Sequence, residues 1–377
     1  MPNTASPSDS GWHDILARLP ADLDLDFLAR ETKALRRCRG VSDGSDLLRL
    51  GLARGPGGMS LAQAAAWASS NGIGEFSGEA LNKRLHRSVT FFTGIVRRLL
   101  DARAPAKASL WNGRCLRMHD SSSLSQLGSK GSNWRVHAVY DLTSAGFSHL
   151  ELTDERGAEG LTYAAPAEGE IAIADRGYAR AKEMAAFLER EGGGTRDFIV
   201  RTGWNSLRLQ NPDGSVFDLI ATLTDMSQAS VPDTTVPREW TGQALYGRGK
   251  QIRGLPIRLI LLPLPPDKAA AAREKVRRIA RKQQTKLNPN TVLAAGFLML
   301  ATSLPVDLPG AEICAVYRLR WQIELAFKRL KSLIRVDRLP TRTENGGRSW
   351  ILAHLILALL TEDMCQEILD FSPSGPC

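Results

Sequence analysis

The chain has 377 residues, 43% hydrophobic and 24% charged, with a net charge of +9 and a pI near 9.5. That composition excludes a disordered or fibrous protein, allows two or three domains with sizeable cores, and suits a polyanionic partner. Five scattered cysteines (Cys38, Cys115, Cys314, Cys365, Cys377) give neither zinc-ligand spacing nor a disulfide framework, so a reducing compartment is expected. The N-terminus lacks a signal-peptide pattern, and the apolar run from Ile351 to Leu360 is too short for a bilayer and carries His354.

Residues 1–20 are polar and read as a loose leader. Residues 21–105 read as a small all-α domain, with Leu23, Leu25, Phe27, Leu28 and Leu35, then Leu47, Leu48 and Leu50, at helical spacing. Ser60 with Gln63 predicts a capping box over a helix from Leu61 to Ser70. Asn71-Gly72 ends it, and a basic helix with Lys83, Arg84 and Arg87 follows. Helix, turn, basic helix is the order of a helix-turn-helix, which makes those three residues candidate DNA contacts. A small helical bundle with a solvated face reads the same way. Arg30, Lys33, Arg36, Arg37 and Arg39 form one basic run, and Ala104-Pro105-Ala106 is a short linker.

From Trp111 the texture turns to short strands. Arg114–His119 is predicted as a strand with Asp120 at its end and Ser121-Ser122-Ser123 in a turn. Residues 135–142 and 147–153 follow as strands. Glu170–Ala174 is a buried-type strand ending on Asp175, and Arg176-Gly177-Tyr178 turns into a helix over 179–190. Asp197–Arg201 is the next strand. Residues 203–290 read as a β-rich insertion plus a basic helix: strands at 207–209, 216–223 and 257–262, then 267–286 with Arg273, Lys275, Arg277, Arg278, Arg281, Lys282 and Lys286. Thr291–Thr302 is read as a strand. Residues 106–202 and 291–340 together form an α/β domain with a mixed sheet, and 341–377 a C-terminal helix.

The stretch from Tyr317 to Lys331 lacks Pro and Gly and predicts a helix. Steps of about 100° put Tyr317, Arg320, Glu324 and Lys331 within roughly 60° of one another. Val316, Ile323, Phe327, Leu330 and Ile334 form the adjacent apolar stripe. One carboxylate among cations is also what an ordinary solvated helix edge shows. Asp120 and Asp175 at strand ends supply two more carboxylates, although a strand-end Asp is commonly a cap. Three carboxylates without His or Cys clusters suit Mg²⁺ or Mn²⁺. Two such ions serve phosphodiester chemistry. His119 reads as a strand residue, since that chemistry needs no imidazole.

Asp175-Arg176-Gly177-Tyr178, followed by Tyr, two residues, Arg320, three residues, Glu324, six residues and Lys331, resembles the DDE transposases of the bacterial insertion-sequence-four group, over about residues 60–360. The resemblance implies an RNase H-like catalytic domain with a β-rich insertion. It implies Asp120, Asp175 and Glu324 as catalytic and metal-binding residues holding two Mg²⁺ or Mn²⁺ ions, with Asp141 and Asp154 the competitors for the first place. It also implies DNA contacts by Tyr317, Arg320, Lys331, Arg176 and Tyr178. The expected partners are double-stranded DNA, as terminal inverted repeats and target, and a second copy in a synaptic homodimer. Relatives pass through a hairpin on the transposon end. A cytoplasmic, nucleoid-associated protein with no membrane partner is expected. A DNA-binding protein derived from a transposase, or a metal-dependent nuclease that cuts without joining, are the competing readings. Intact carboxylates argue against the first, and inverted repeats around the gene would discriminate the second.

Overall fold

The computed structural model describes residues 7–36, 40–102, 111–125, 129, 131, 133–142, 144, 146–190, 194–228, 233–321, 323, 324, 328, 339, 341 and 343–370, with backbone alone at 7–10 and 362–370. Six helices come first: α1 (Pro7–Ala17), α2 (Leu25–Glu31), α3 (Gly44–Arg54), α4 (Leu61–Ser70), α5 (Gly78–Arg87) and α6 (Val89–Asp101). Short polar side chains start them. Asp24 and Asp43 accept from the Phe27 and Asp46 amides, and Ser77 accepts from Ala80. Ser60 and Gln63 form the expected reciprocal capping box, with bonds of 3.2 and 2.9 Å. Each cap satisfies an amide that the first helical turn leaves open. Ser60→Ala is expected to lower stability by about 1 kcal/mol, read as a lower denaturant midpoint with unchanged slope.

The first helix corrects the expected leader. Trp12 ties it down: its indole N–H donates to Ser45 Oγ at 3.2 Å, and the Arg49 guanidinium lies 5.6 Å from its ring. One amphipathic aromatic with two partners outweighs a polar composition. Buried stripes join the other helices, through Leu47 and Leu48 of α3, Leu81 and Leu85 of α5, and Phe91, Phe92 and Ile95 of α6.

The strands are β1 (Cys115–Leu124), β2 (Trp134–Asp141), β3 (Gly146–Asp154), β4 (Glu170–Ala174), β5 (Asp197–Arg201), β6 (Arg208–Gln210), β7 (Arg238–Tyr246), β8 (Arg253–Pro263) and β9 (Phe297–Thr302). Among the described residues they form one nine-stranded sheet in the order β3-β2-β1-β4-β5-β9-β8-β7-β6. The pairs β1–β4 and β4–β5 are parallel, and the other pairs are antiparallel. Pleat alternation splits the core in two. Leu116, Met118, Ile171, Ile173 and Ile199 face a layer built from the N-terminal helices, α11 (Gly310–Arg318) and α12 (Glu344–Asp370). Ala172, Ala174, Phe198 and Val200 face α7 (Ala181–Glu189), α8 (Leu219–Gln228) and α10 (Pro289–Ala294).

Several expected boundaries move. Residues 216–223 are not a strand: Asp218 accepts from the Ala221 amide at 2.9 Å and starts α8. Thr291–Thr302 divides into α10, capped by Asn288 with Pro289 in its first turn, and β9. The strand β7 is absent from the sequence reading: one face alternates Trp240, Ala244 and Tyr246, but Gly242 and the polar Arg238, Glu239, Thr241 and Gln243 weaken the strand signal. Among the described residues the strands of segment 203–290 extend the same sheet: β8 pairs with β9 and carries β7 and β6 outward. The Ser121–Ser123 turn is instead strand, since β2 supplies ladder partners as far as Leu124. The helix expected from Tyr317 begins earlier, at Gly310, and pauses in a turn at Leu319 and Arg320 before Trp321, Ile323 and Glu324 resume it. Ala104–Ala106, Phe327, Leu330, Lys331 and Ile334 lie outside the described residues. No helix among the described residues is long and apolar enough to cross a membrane.

Candidate active site

The pleat that builds the core also builds the site. On β1, one face reads Leu116, Met118, Asp120; on β4 the same face reads Ile171, Ile173 and then Asp175. The strands are parallel with His119 level with Ala174. Asp120 and Asp175 therefore stand level, on one face, on strands about 4.8 Å apart. Asp120 sits inside β1 rather than at its end, a correction that follows from the longer strand. Its position on the pleat places it, not a strand terminus.

Burial pushes the Asp120 carboxyl up to about 6. The Asp175 and Glu159 charges add to the rise, while the Ser121 amide, 2.8 Å from Oδ1, and the Arg320 charge oppose it. Asp175 follows β4 and opens a single 3₁₀ turn, Arg176–Tyr178. Its Oδ1 is buried without a hydrogen-bond partner among the described residues, with Arg201 Nη1 3.9 Å away. Two level carboxylates, one raised and one unsatisfied, mark a demand for positive charge that neighbouring arginines meet only in part.

Tyr317 lies on the last turn of α11, buried, and its hydroxyl makes no hydrogen bond of good geometry among the described residues. Burial pushes the phenol up to about 12, against the Arg320 charge and with that of Asp175. The Arg320 guanidinium is 5.8 Å from the Tyr317 ring centroid and donates to Glu324 Oε1 at 2.6 Å. Its charge also reaches Asp120 and Asp175. Arg320 is thus the hub that links the late helical segment to the sheet.

The structure brings Asp120, Asp175, Tyr317 and Arg320 together, with Glu324 attached through Arg320. It does not close the expected three-carboxylate cluster: no group of three His, Cys, Asp or Glu among the described residues is placed to hold a metal. The reason is electrostatic. Three carboxylates without a cation between them repel, and Glu324 takes the guanidinium instead. A divalent ion nevertheless fits the chemistry of the donors present, since the Asp175 and Asp120 carboxylates are hard oxygen ligands level on one face of adjacent strands.

The remaining candidates divide. Arg176 is exposed beside the site. Tyr178 is 2% exposed, its hydroxyl driven up by burial and by the Asp120 charge. It is a core residue, whereas the resemblance implied a DNA contact. Lys83 is exposed and pairs with Glu79 at 3.4 Å, Arg84 lies 5.8 Å from the Phe76 ring, and Arg87 is exposed on the last turn of α5. Lys331 lies outside the described residues. His119 is a core strand residue as read, bonded to Glu170 Oε1 at 2.9 Å on the opposite face.

Glu159 was not anticipated. Its Oε1 accepts from Ser121 Oγ and pairs with Arg135, each at 2.9 Å. Its charge bears on Asp120. A β-carbon at Gly177 would overlap its carboxylate, which explains a glycine directly after Asp175-Arg176. Glu159 lies in the long β3–β4 connection, where neither periodicity nor motif spacing singles it out.

The chain is similar to known proteins over most of its length. A family model described as the transposase DDE domain matches residues 111–360. The InsL protein of insertion sequence element IS186A from Escherichia coli (strain K12) is 39% identical over 97% of each chain. The transposase for insertion sequence element IS421 from Escherichia coli is likewise 39% identical over 97% of each chain. A cryo-EM structure of the piggyBac transposase synaptic complex with hairpin DNA aligns over 94% of this chain and 73% of that one, at 8% identity and a TM-score of 0.43. The match over residues 111–360 and the two full-length relatives place this chain in the DDE transposase family.

Proposed function

We propose that this protein is an insertion-sequence transposase of the insertion-sequence-four group. In this reading it cleaves DNA at the element's ends and joins them to target DNA, using an RNase H-like domain formed by residues 106–202 and 291–340. The observation that carries the reading is the level, same-face pairing of Asp120 and Asp175 beneath Tyr317 and Arg320. Hydrolysis breaks a phosphodiester bond and leaves a 3′-hydroxyl. That hydroxyl then attacks a target phosphodiester and displaces the target's own 3′ oxygen. Two Mg²⁺ or Mn²⁺ ions, when bound, would supply charge neutralisation and an acidified water.

The chain's own part is to hold and to exclude. Asp120 and Asp175 are fixed by the ladder between β1 and β4, so their spacing does not depend on a flexible loop. Glu324 joins them by exchanging its bond to Arg320, which frees the guanidinium to fork onto a DNA phosphate. Tyr317 offers a hydroxyl donor to the same phosphate. Lys83, Arg84 and Arg87 would meet the ends through the helical segment 21–105. The working form is a synaptic homodimer.

Incubation with the element's own ends and Mg²⁺ tests this. Glu324→Ala is expected to lose cleavage by two or more orders of magnitude while keeping DNA binding, and Arg320→Ala to weaken end binding about tenfold. Cleavage by Glu324→Ala at the wild-type rate would remove that helix from the chemistry. Binding without cleavage by the wild type in Mg²⁺ or Mn²⁺ would favour a transposase-derived binding protein.

A further inference from the structure

The helix α9 (Pro266–Gln283) carries seven Lys and Arg against Asp267 and Glu274. Ala269 is its only buried residue. A helix polar almost all round needs a partner or a dense ion-pair network. The network is thin: Glu274 pairs with Arg277 at 3.7 Å and Arg281 at 3.4 Å, and Asp267 with Lys268 at 3.8 Å. Lys275, Arg278 and Lys282 have no carboxylate partner among the described residues, and all three are exposed.

The cations fall in two groups: Arg273, Arg277 and Arg281 lie together, two of them paired with Glu274, and the other four lie apart from them. At about 100° per residue, Lys268, Lys275, Arg278 and Lys282 fall within roughly 80° of one another. The buried and half-buried residues, Ala269, Ala272, Arg273, Val276 and Ala280, centre about 130° away round the helix. The helix rests on the body by that small-residue side, beside α10, and turns the cationic stripe outward.

Strand direction fixes where the stripe sits. Pro263 at the end of β8 is level with Phe297 at the start of β9, and Arg201 at the end of β5 is level with Leu300. The ends of β4, β5 and β8 therefore share one edge of the sheet, and α9 leaves from the edge that holds Asp175. Asp175 and the end of β8 are three strand spacings apart, about 14 Å across the sheet, with a three-residue offset of about 10 Å along the strands. Trp204 Nε1 donates to Thr291 Oγ1 at 3.2 Å and ties α10 to the turn after β5. From Lys268 to Lys282 the stripe runs about 21 Å, close to the axial rise of six base pairs.

We propose that this stripe binds the phosphate backbone of duplex DNA beside the scissile bond, independently of sequence. The inference rests on the transposase reading for the identity of the polyanion, but its test is separate. Full-length protein carrying Lys275→Gln, Arg278→Gln and Lys282→Gln is compared with wild type by titrating a terminal-repeat duplex and a scrambled duplex at several salt concentrations. Each lost phosphate contact lowers the slope of log K against log salt by about 0.9. The expected result is a slope shallower by about 2 to 3 on both duplexes, with unchanged melting temperature, because the three side chains are solvated. A slope equal to wild type on both duplexes overturns the proposal, as does a change in oligomeric state with DNA binding intact, which would assign the stripe to a protein partner. Cleavage of the ends by wild type in Mg²⁺ is scored in parallel. Its failure would sink the transposase reading while leaving the salt slopes to decide the stripe.

Discussion

Asp175→Asn is expected to abolish end cleavage and, at the same time, to raise the melting temperature. The two effects share one cause. Asp175 Oδ1 is buried without a hydrogen-bond partner among the described residues, and it stands level with the half-buried Asp120 across one pair of parallel strands. Removing one charge relieves that repulsion, for a gain of about 1 kcal/mol, or about 1 °C in a chain of this size. Cleavage should fall by about three orders of magnitude or more, since several kcal/mol of charge stabilisation leaves with the ligand. Nicking assays and calorimetry on the same preparation check both. A variant that cuts normally would place the chemistry elsewhere. A variant that melts earlier would show that Asp175 is held by native partners and serves the fold.

The second large effect is expected on the opposite face. Glu170 is fully buried and bonded to Arg117 Nη1 at 2.8 Å, His119 Nε2 at 2.9 Å and the Ala167 amide at 2.8 Å. Burial works against its charge, but the His119 hydrogen bond and the Arg117 charge prevail and hold the carboxyl down at about 2. Glu170→Gln leaves Arg117 buried without its counter-ion and should cost about 3 to 5 kcal/mol. The pH dependence has a definite sign. The folded pKa lies below the unfolded one, so the stabilisation is present above the ordinary carboxylate value of 4.5 and is lost as pH falls toward 2. Urea unfolding of the wild type should therefore steepen in that window, and the variant should lack that contribution. Equal stabilities at pH 7 would mean that the Arg117 charge finds another acceptor.

Much of this was legible in the chain, for identifiable reasons. β4 and β5 were read with their observed bounds, because a short apolar run bounded by polar turns has few alternatives in a buried parallel sheet. The Ser60–Gln63 capping box was readable because both its bonds are local. Asp120 was picked, though for a different reason from the one the fold supplies. A serine run looks like a turn until a neighbouring strand offers it a ladder, and β2 does so. Glu159 and Arg201 were not readable, since each meets an aspartate only through tertiary contact. The partner of Glu324 was likewise hidden: spacing says which residues share a helical edge, but not whether a carboxylate on it faces a metal or the neighbouring guanidinium.

The packing of α12 has a consequence for synthesis. Its buried residues, among them Ile351, Leu355 and Leu359, share a core with α3, α5 and α6. About 240 residues separate Asp101 from Glu344, so at 5 to 20 residues per second roughly 10 to 50 s pass between translation of the two. Through that interval Phe91, Phe92 and Ile95 wait for a wall that the ribosome has not yet made. The nascent chain is then a client for chaperones, and an arrest before Glu344 leaves an aggregation-prone fragment rather than a partly working enzyme.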